Sequence, residues 1–143
     1  VASLIDRLKL EHQQIVNALK ELKKMGMTAP KASVKMAAVK EALQLHWDRE
    51  DHELYPLLRK HARGDKDLKA KIEASIAERG VLQKQAMEFF ARYADGGNGM
   101  DFAVDSGKFV STLETRIHFT ETVIYPEFAK RDTRTPDDDS EAA

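Results

Sequence analysis

The sequence predicts an all-α protein, an up-down-up-down four-helix bundle, and three observations predict it. Apolar side chains recur at the 3.6-residue helical period over four long stretches. Short segments rich in glycine, proline and small polar residues separate them. A chain of 143 residues is also long enough to bury the stripes of four amphipathic helices in one core.

The first helix is expected over about Ser3–Met25, with Leu4, Leu8, His12, Ile15, Leu19 and Leu22 along one face. Ser3 is its expected cap, with Asp6 three residues on, and Gly26 its expected end before the turn "MTAPKAS". The second spans about Ser33–His61, with Met36, Val39, Leu43, His46, Glu50, Leu54 and Leu57 inward. Pro56 lacks an N–H, so a kink or an early end is expected there, and Gly64 is a stop. The third spans about Lys66–Ala94 through Ile72, Ile76, Arg79, Leu82, Ala86, Phe89 and Tyr93. Gly80 in its middle costs ~1 kcal/mol relative to alanine. After the loop "DGGNGMD", the fourth spans about Asp101–Arg131 through Phe109, Leu113, Arg116/Ile117, Thr120/Glu121 and Ile124. Residues 1–131 form the expected bundle, and 132–143 an acidic disordered tail that serves solubility.

The chain also repeats itself. "DHELYPLL" at Asp51–Leu58 parallels "ETVIYPEF" at Glu121–Phe128, and Glu11-His12 parallels Glu78-Arg79, as in two helical hairpins of common ancestry.

Composition narrows the function classes. With no cysteine, disulfides, thiolate metal sites and cysteine nucleophiles are excluded, so any metal is held by histidine and carboxylate. A formal charge of −1 gives no field for nucleic acid. No apolar run reaches the ~18 residues that cross a bilayer. Val1–Leu10 lacks the pattern of a signal peptide, and a cytoplasmic location is expected.

His46 and Glu50 are four apart and lie on the apolar face of their helix; His12 lies mid-way along that of the first. Polar groups projecting into a bundle core need partners. Those partners are either one another, in a hydrogen-bonded core network, or a metal; imidazole with carboxylate suits iron, zinc or manganese. His52, His61 and His118 are expected to face solvent or a helix end, although His118 is also a candidate substitute ligand. Trp47, Phe89, Phe90 and Tyr93 are expected core. Asp48, Arg49, Asp51 and Glu53 read as a solvated face, with Glu53 close in angle to the site.

The "EH" of Glu11-His12, the "HWDRED" of His46–Asp51 and the following Tyr-Pro resemble the hemerythrin-like, or HHE cation-binding, domains over about Leu4–Arg131. That resemblance implies two bridged irons held by five histidines and two carboxylates. It places His12 and His46 as terminal ligands of one iron and Glu50 as a bridging acid. Glu121, five after Arg116, matches the second bridging acid, unless the repeat applies and that position falls on Thr120. For the other iron's histidines the chain has Arg79, Gln83 and Arg116.

Arginine has no lone pair for a metal. Arg79 and Arg116 either pair with Glu50 and Glu121, replacing a metal's charge, or turn outward and leave His12, His46, Glu50 and Glu121 as a mononuclear site. Three functions stay open. The first is an iron-binding module with one ion that binds or senses O2, NO or peroxide. The second is a metal-free structural or regulatory module in which Arg79 and Arg116 replace the metal. The third is a di-iron redox enzyme. One ion or none is expected rather than two, and a protein partner or homodimer is left open.

Overall fold

The computed structural model of the protein describes residues 3–25 and 31–132. Its elements are α1 (Leu4–Met25), α2 (Lys31–Arg49), α3 (Tyr55–His61), α4 (Lys66–Arg92), α5 (Gly99–Phe119) and α6 (Tyr125–Arg131). A π-helical turn at Glu50–Leu54 joins α2 to α3, and a second at Thr120–Ile124 joins α5 to α6. Four rods result: α1, α2–α3, α4 and α5–α6. α1 packs on α2 and α5, and α4 on the same two, which closes an up-down-up-down bundle.

Side-chain caps account for the starts of α1 and α4. The Asp6 amide donates to Ser3 Oγ at 3.1 Å, as the sequence suggests. Asp65 caps α4 by accepting from the Leu68 amide at 3.0 Å. Gly64 precedes it at φ +83°, a backbone region that only glycine enters freely. α2 starts at Lys31, so part of the expected turn is helical; Gly26 and residues 133–143, the expected helix end and acidic tail, lie outside the described residues.

The second and fourth rods are not the continuous α-helices that periodicity predicts. Each carries its π turn directly ahead of a Tyr-Pro pair, with the proline in the first turn of the following helix. Proline has no N–H to donate and crowds the turn before it, and a π turn relieves both problems without ending the rod. The wider turn shifts the register. Leu54, Tyr55 and Leu58 are buried where simple periodicity continues through Leu57, which is half-buried. On α4, an unbroken α-helix, Ser75 is buried between Ile72 and Arg79 at ordinary helical spacing, and Ile76 is half-buried.

Buried apolar residues fall into two clusters. One joins Ile15, Leu19 and Leu22 to Leu43, Trp47, Leu82, Phe89, Phe90, Phe109 and Leu113. The other joins Leu4 and Leu8 to Leu54, Tyr55, Leu58, Ile72, Ile124, Tyr125 and Phe128. Between them each rod contributes polar side chains at one level: His12; His46 and Glu50; Ser75 and Arg79; Arg116 and Thr120. Among the described residues, no helix is long and apolar enough to cross a membrane.

Candidate metal centre

The polar layer has two unlike halves. In the first, His12, His46 and Glu50 are 4%, 2% and 1% exposed, and each offers a ligand atom within 4.8 Å of the others'. The His12 and His46 ring centroids are 4.5 Å apart.

Each histidine is held from behind by a carboxylate. His12 Nδ1 donates to Glu121 Oε2 at 2.7 Å, and His46 Nδ1 donates to Glu11 Oε1 at 2.9 Å. A carboxylate accepts, so the proton of each ring sits on Nδ1 and Nε2 is turned inward. This is how metal-ligating histidines are oriented and made more basic. Arg49 Nε in turn donates to Glu11 Oε2 at 3.1 Å and completes the support.

The inward nitrogens differ. His12 Nε2 is 3.2 Å from the Tyr125 hydroxyl, but that hydroxyl's one proton goes to Glu50 Oε2 at 2.7 Å. Burial and the neighbouring His46 charge lower the His12 pKa despite Glu121, which leaves Nε2 a lone pair without a donor. Burial also pulls on His46, but its bonds to Glu11 and Glu50 outweigh that and raise its pKa. His46 Nε2 lies 3.6 Å from Glu50 Oε2, so its second proton points where a cation would take the lone pair. Burial raises the Glu50 pKa, yet the bonds from His46 and Tyr125 and the charge of Arg79 prevail and hold it down to about 2. Glu50 therefore keeps its charge in the core. Burial and that charge push the Tyr125 hydroxyl well above its usual pKa, so it stays a donor.

The second half holds arginines. Arg79 is 4% exposed; its Nη1 donates to Glu50 Oε1 at 3.2 Å and its Nη2 to Asp51. Arg116 is half-buried, and its Nη2 donates to Ser75 Oγ at 2.9 Å and to the Tyr55 hydroxyl at 3.2 Å. Thr120 holds the repeat position of Glu50; its hydroxyl turns back to the Ile117 carbonyl at 2.9 Å. A cavity of about 10 Å³ lies between the halves, bounded by His12, His46, Glu50, Arg116 and Thr120. That is room for about one water-sized sphere.

The structure thus gathers His12, His46, Glu50, Arg79 and Arg116, but distributes their partners differently from expectation. Glu121 sits behind His12, its side chain 31% exposed, rather than among the three inward groups; Thr120 takes the inward position. The arginine pair does not clamp Glu50 and Glu121: only Arg79 reaches Glu50, and Arg116 bonds neutral groups. Nor does Arg79 turn outward. Asp51, read as a solvated face, accepts from Arg79. Glu53 pairs with Arg7 and Arg49 and does not enter the site. Gln83 is half-buried and lines a surface groove with Trp47 and Met87. His52, His61 and His118 are exposed.

Sequence reasoning missed Glu11, Tyr125, Tyr55 and Ser75 as parts of the site. Glu11 stood beside His12 in the quoted "EH" motif, and Tyr125 repeats Tyr55 in the second Tyr-Pro pair. That repeat is the signal from which Tyr125 was readable; Ser75 carried none.

The hemerythrin HHE cation-binding domain model matches residues 3–128. No match was found among curated proteins or solved structures.

Proposed function

The chain belongs to the hemerythrin HHE cation-binding family, and on that premise we propose that it binds a single cation, iron, through His12, His46 and Glu50. One observation carries the reading: three buried donors converge within 4.8 Å. The carboxylates behind both rings support it, because a simple core network has no need to fix two Nε2 atoms inward. Two imidazoles and a carboxylate suit iron, zinc or manganese, and the family resemblance favours iron.

The other half of the layer does not fit a second ion. Arg79, Arg116 and Thr120 stand at the positions that a second ligand set would occupy. Arg79 instead supplies positive charge to Glu50 Oε1 at 3.2 Å, as a second cation would. In this reading Glu121 and Glu11 orient the histidines, and Gln83 takes no part. An iron ion held here would supply an open coordination position for a small ligand such as O2, NO or peroxide. The chain's own residues keep Glu50 ionised, hold both Nε2 atoms inward and keep bulk water out. Redox chemistry shared between two irons is disfavoured because the second ligand set is replaced.

The test is metal content. Protein purified without chelator and then loaded with ferrous iron is expected to hold about one equivalent, and His12→Ala with His46→Ala to lose it. Less than about a tenth of an equivalent of any transition metal after loading overturns the reading.

A metal-free structural module is the second reading, and the Arg79–Glu50 pair favours it. Together with Tyr125 it gives both Glu50 oxygens a partner inside the protein. Here a melting temperature unmoved by added iron is the expected result, whereas the first reading expects a rise with iron concentration.

A further inference from the structure

Arg116 is unlike the other charged groups of the polar layer. Arg79 is neutralised by Glu50 and Asp51, His46 by Glu11 and Glu50, and Glu121 bonds His12. Arg116 makes no ion pair among the described residues; its two acceptors, Ser75 and Tyr55, are both neutral. Its Nη1 is buried and has no hydrogen-bond partner. A guanidinium N–H withdrawn from water without an acceptor is costly; Arg79 Nε is in the same condition, but Arg79 is neutralised by two carboxylates, whereas Arg116 combines the bare N–H with an uncompensated charge.

Its placement indicates a use. Arg116 lines the cavity shared by His12, His46 and Glu50. By the internal repeat it stands where the other hairpin has His46, so its backbone position directs a side chain toward the layer. Ser75 and Tyr55, themselves bonded at 2.9 Å, anchor Nη2 and fix the guanidinium plane before any ligand arrives. A preorganised fork with a free N–H recognises oxygen- and nitrogen-ended anions, and it gives a neutral diatomic little. A cation on the opposite wall would add a second positive charge across the same small space. An anion between them relieves that repulsion.

We propose that Arg116 is the specificity-determining residue for the ion's external ligand, and that this ligand is a small monoanion such as nitrite, hydroperoxide or azide. This rests on the one-cation reading above. Arg116 acts as donor and counter-charge to the anion, and it takes no part in holding the metal. Arg79, with both terminal nitrogens committed to carboxylates, cannot share the role.

Azide is the probe, titrated into the iron-loaded, oxidised protein and followed by visible absorption, with iron content measured first. Arg116→Gln is expected to weaken azide binding at least about tenfold per bound iron, while nitric oxide binding to the ferrous form changes less than about twofold. Arg116→Lys, which keeps the charge and loses the fork, is expected to fall between. Equal azide affinity in wild type and Arg116→Gln overturns the proposal, and so does a parallel loss of nitric oxide affinity. Should Arg116→Gln not fold, Ser75→Ala decides. Removal of that anchor is expected to weaken azide several-fold, and an unchanged affinity overturns the proposal. Absence of iron from the wild-type protein overturns both this and the one-cation reading, and it is recorded before any anion is added.

Discussion

At the scale of single residues, Glu50 governs the site. It is 1% exposed, yet it stays ionised because His46, Tyr125 and Arg79 all face it. Its folded-state pKa is held below the usual carboxylate value, so its contribution to stability is present above about pH 4.5 and lost as pH falls through about 2. The depression is worth roughly 3 kcal/mol. Glu50→Gln is therefore expected to flatten the acid limb of stability against pH, which urea unfolding between about pH 5 and about pH 2 measures in metal-free protein. Arg79→Ala leaves that carboxylate buried without its guanidinium and is expected to destabilise metal-free protein by about 3 kcal/mol, seen in the urea midpoint. The sequence left both arginines as candidate partners of the carboxylates Glu50 and Glu121. The structure gives that part to Arg79 alone, because among the described residues Arg116 bonds Ser75 and Tyr55 and no carboxylate.

At the scale of elements, the two π turns decide which residues of the second and fourth rods face inward. The first lies directly after His46 and contains Glu50; the second contains Thr120 and Glu121. Because each turn is wider than an α turn, angles extrapolated from residues upstream lose accuracy across it. Glu121 is where this matters, since a small angular change separates the ring's outer nitrogen from the cavity. α4 has no such turn, and its one apparent defect is Gly80. A Cβ placed there meets nothing within 4 Å, and the position is exposed. Gly80→Ala is expected to stabilise by up to about 1 kcal/mol, raising the thermal midpoint with no change in metal content. A glycine retained for packing would give the opposite sign.

At the scale of the whole molecule, the site is a polar layer between two apolar clusters, and all four rods contribute to it. A cation bound there would tie α1 to the α2–α3 rod through His12, His46 and Glu50, so binding energy becomes folding energy. Removing metal with a chelator is expected to lower the melting temperature of loaded wild type and to leave His12→Ala/His46→Ala unchanged. Calorimetry of both proteins, with and without chelator, checks this. A wild-type midpoint indifferent to the chelator favours the metal-free module.

The sequence by itself determined the four rods, the inward positions of His12, His46, Glu50 and Arg79, and the asymmetry of histidine in one hairpin against arginine in the other. These follow from helical periodicity and the internal repeat, which are properties of residues near one another in the chain. Only the tertiary structure decided who bonds whom. His12 meets Glu121 across 109 positions and Tyr125 across 113, and Arg116 meets Tyr55 across 61. Such pairings depend on how the rods are rotated about their axes, which the π turns and core packing set. A rotation too small to disturb the apolar stripe decides whether a carboxylate ends behind a histidine or in front of it.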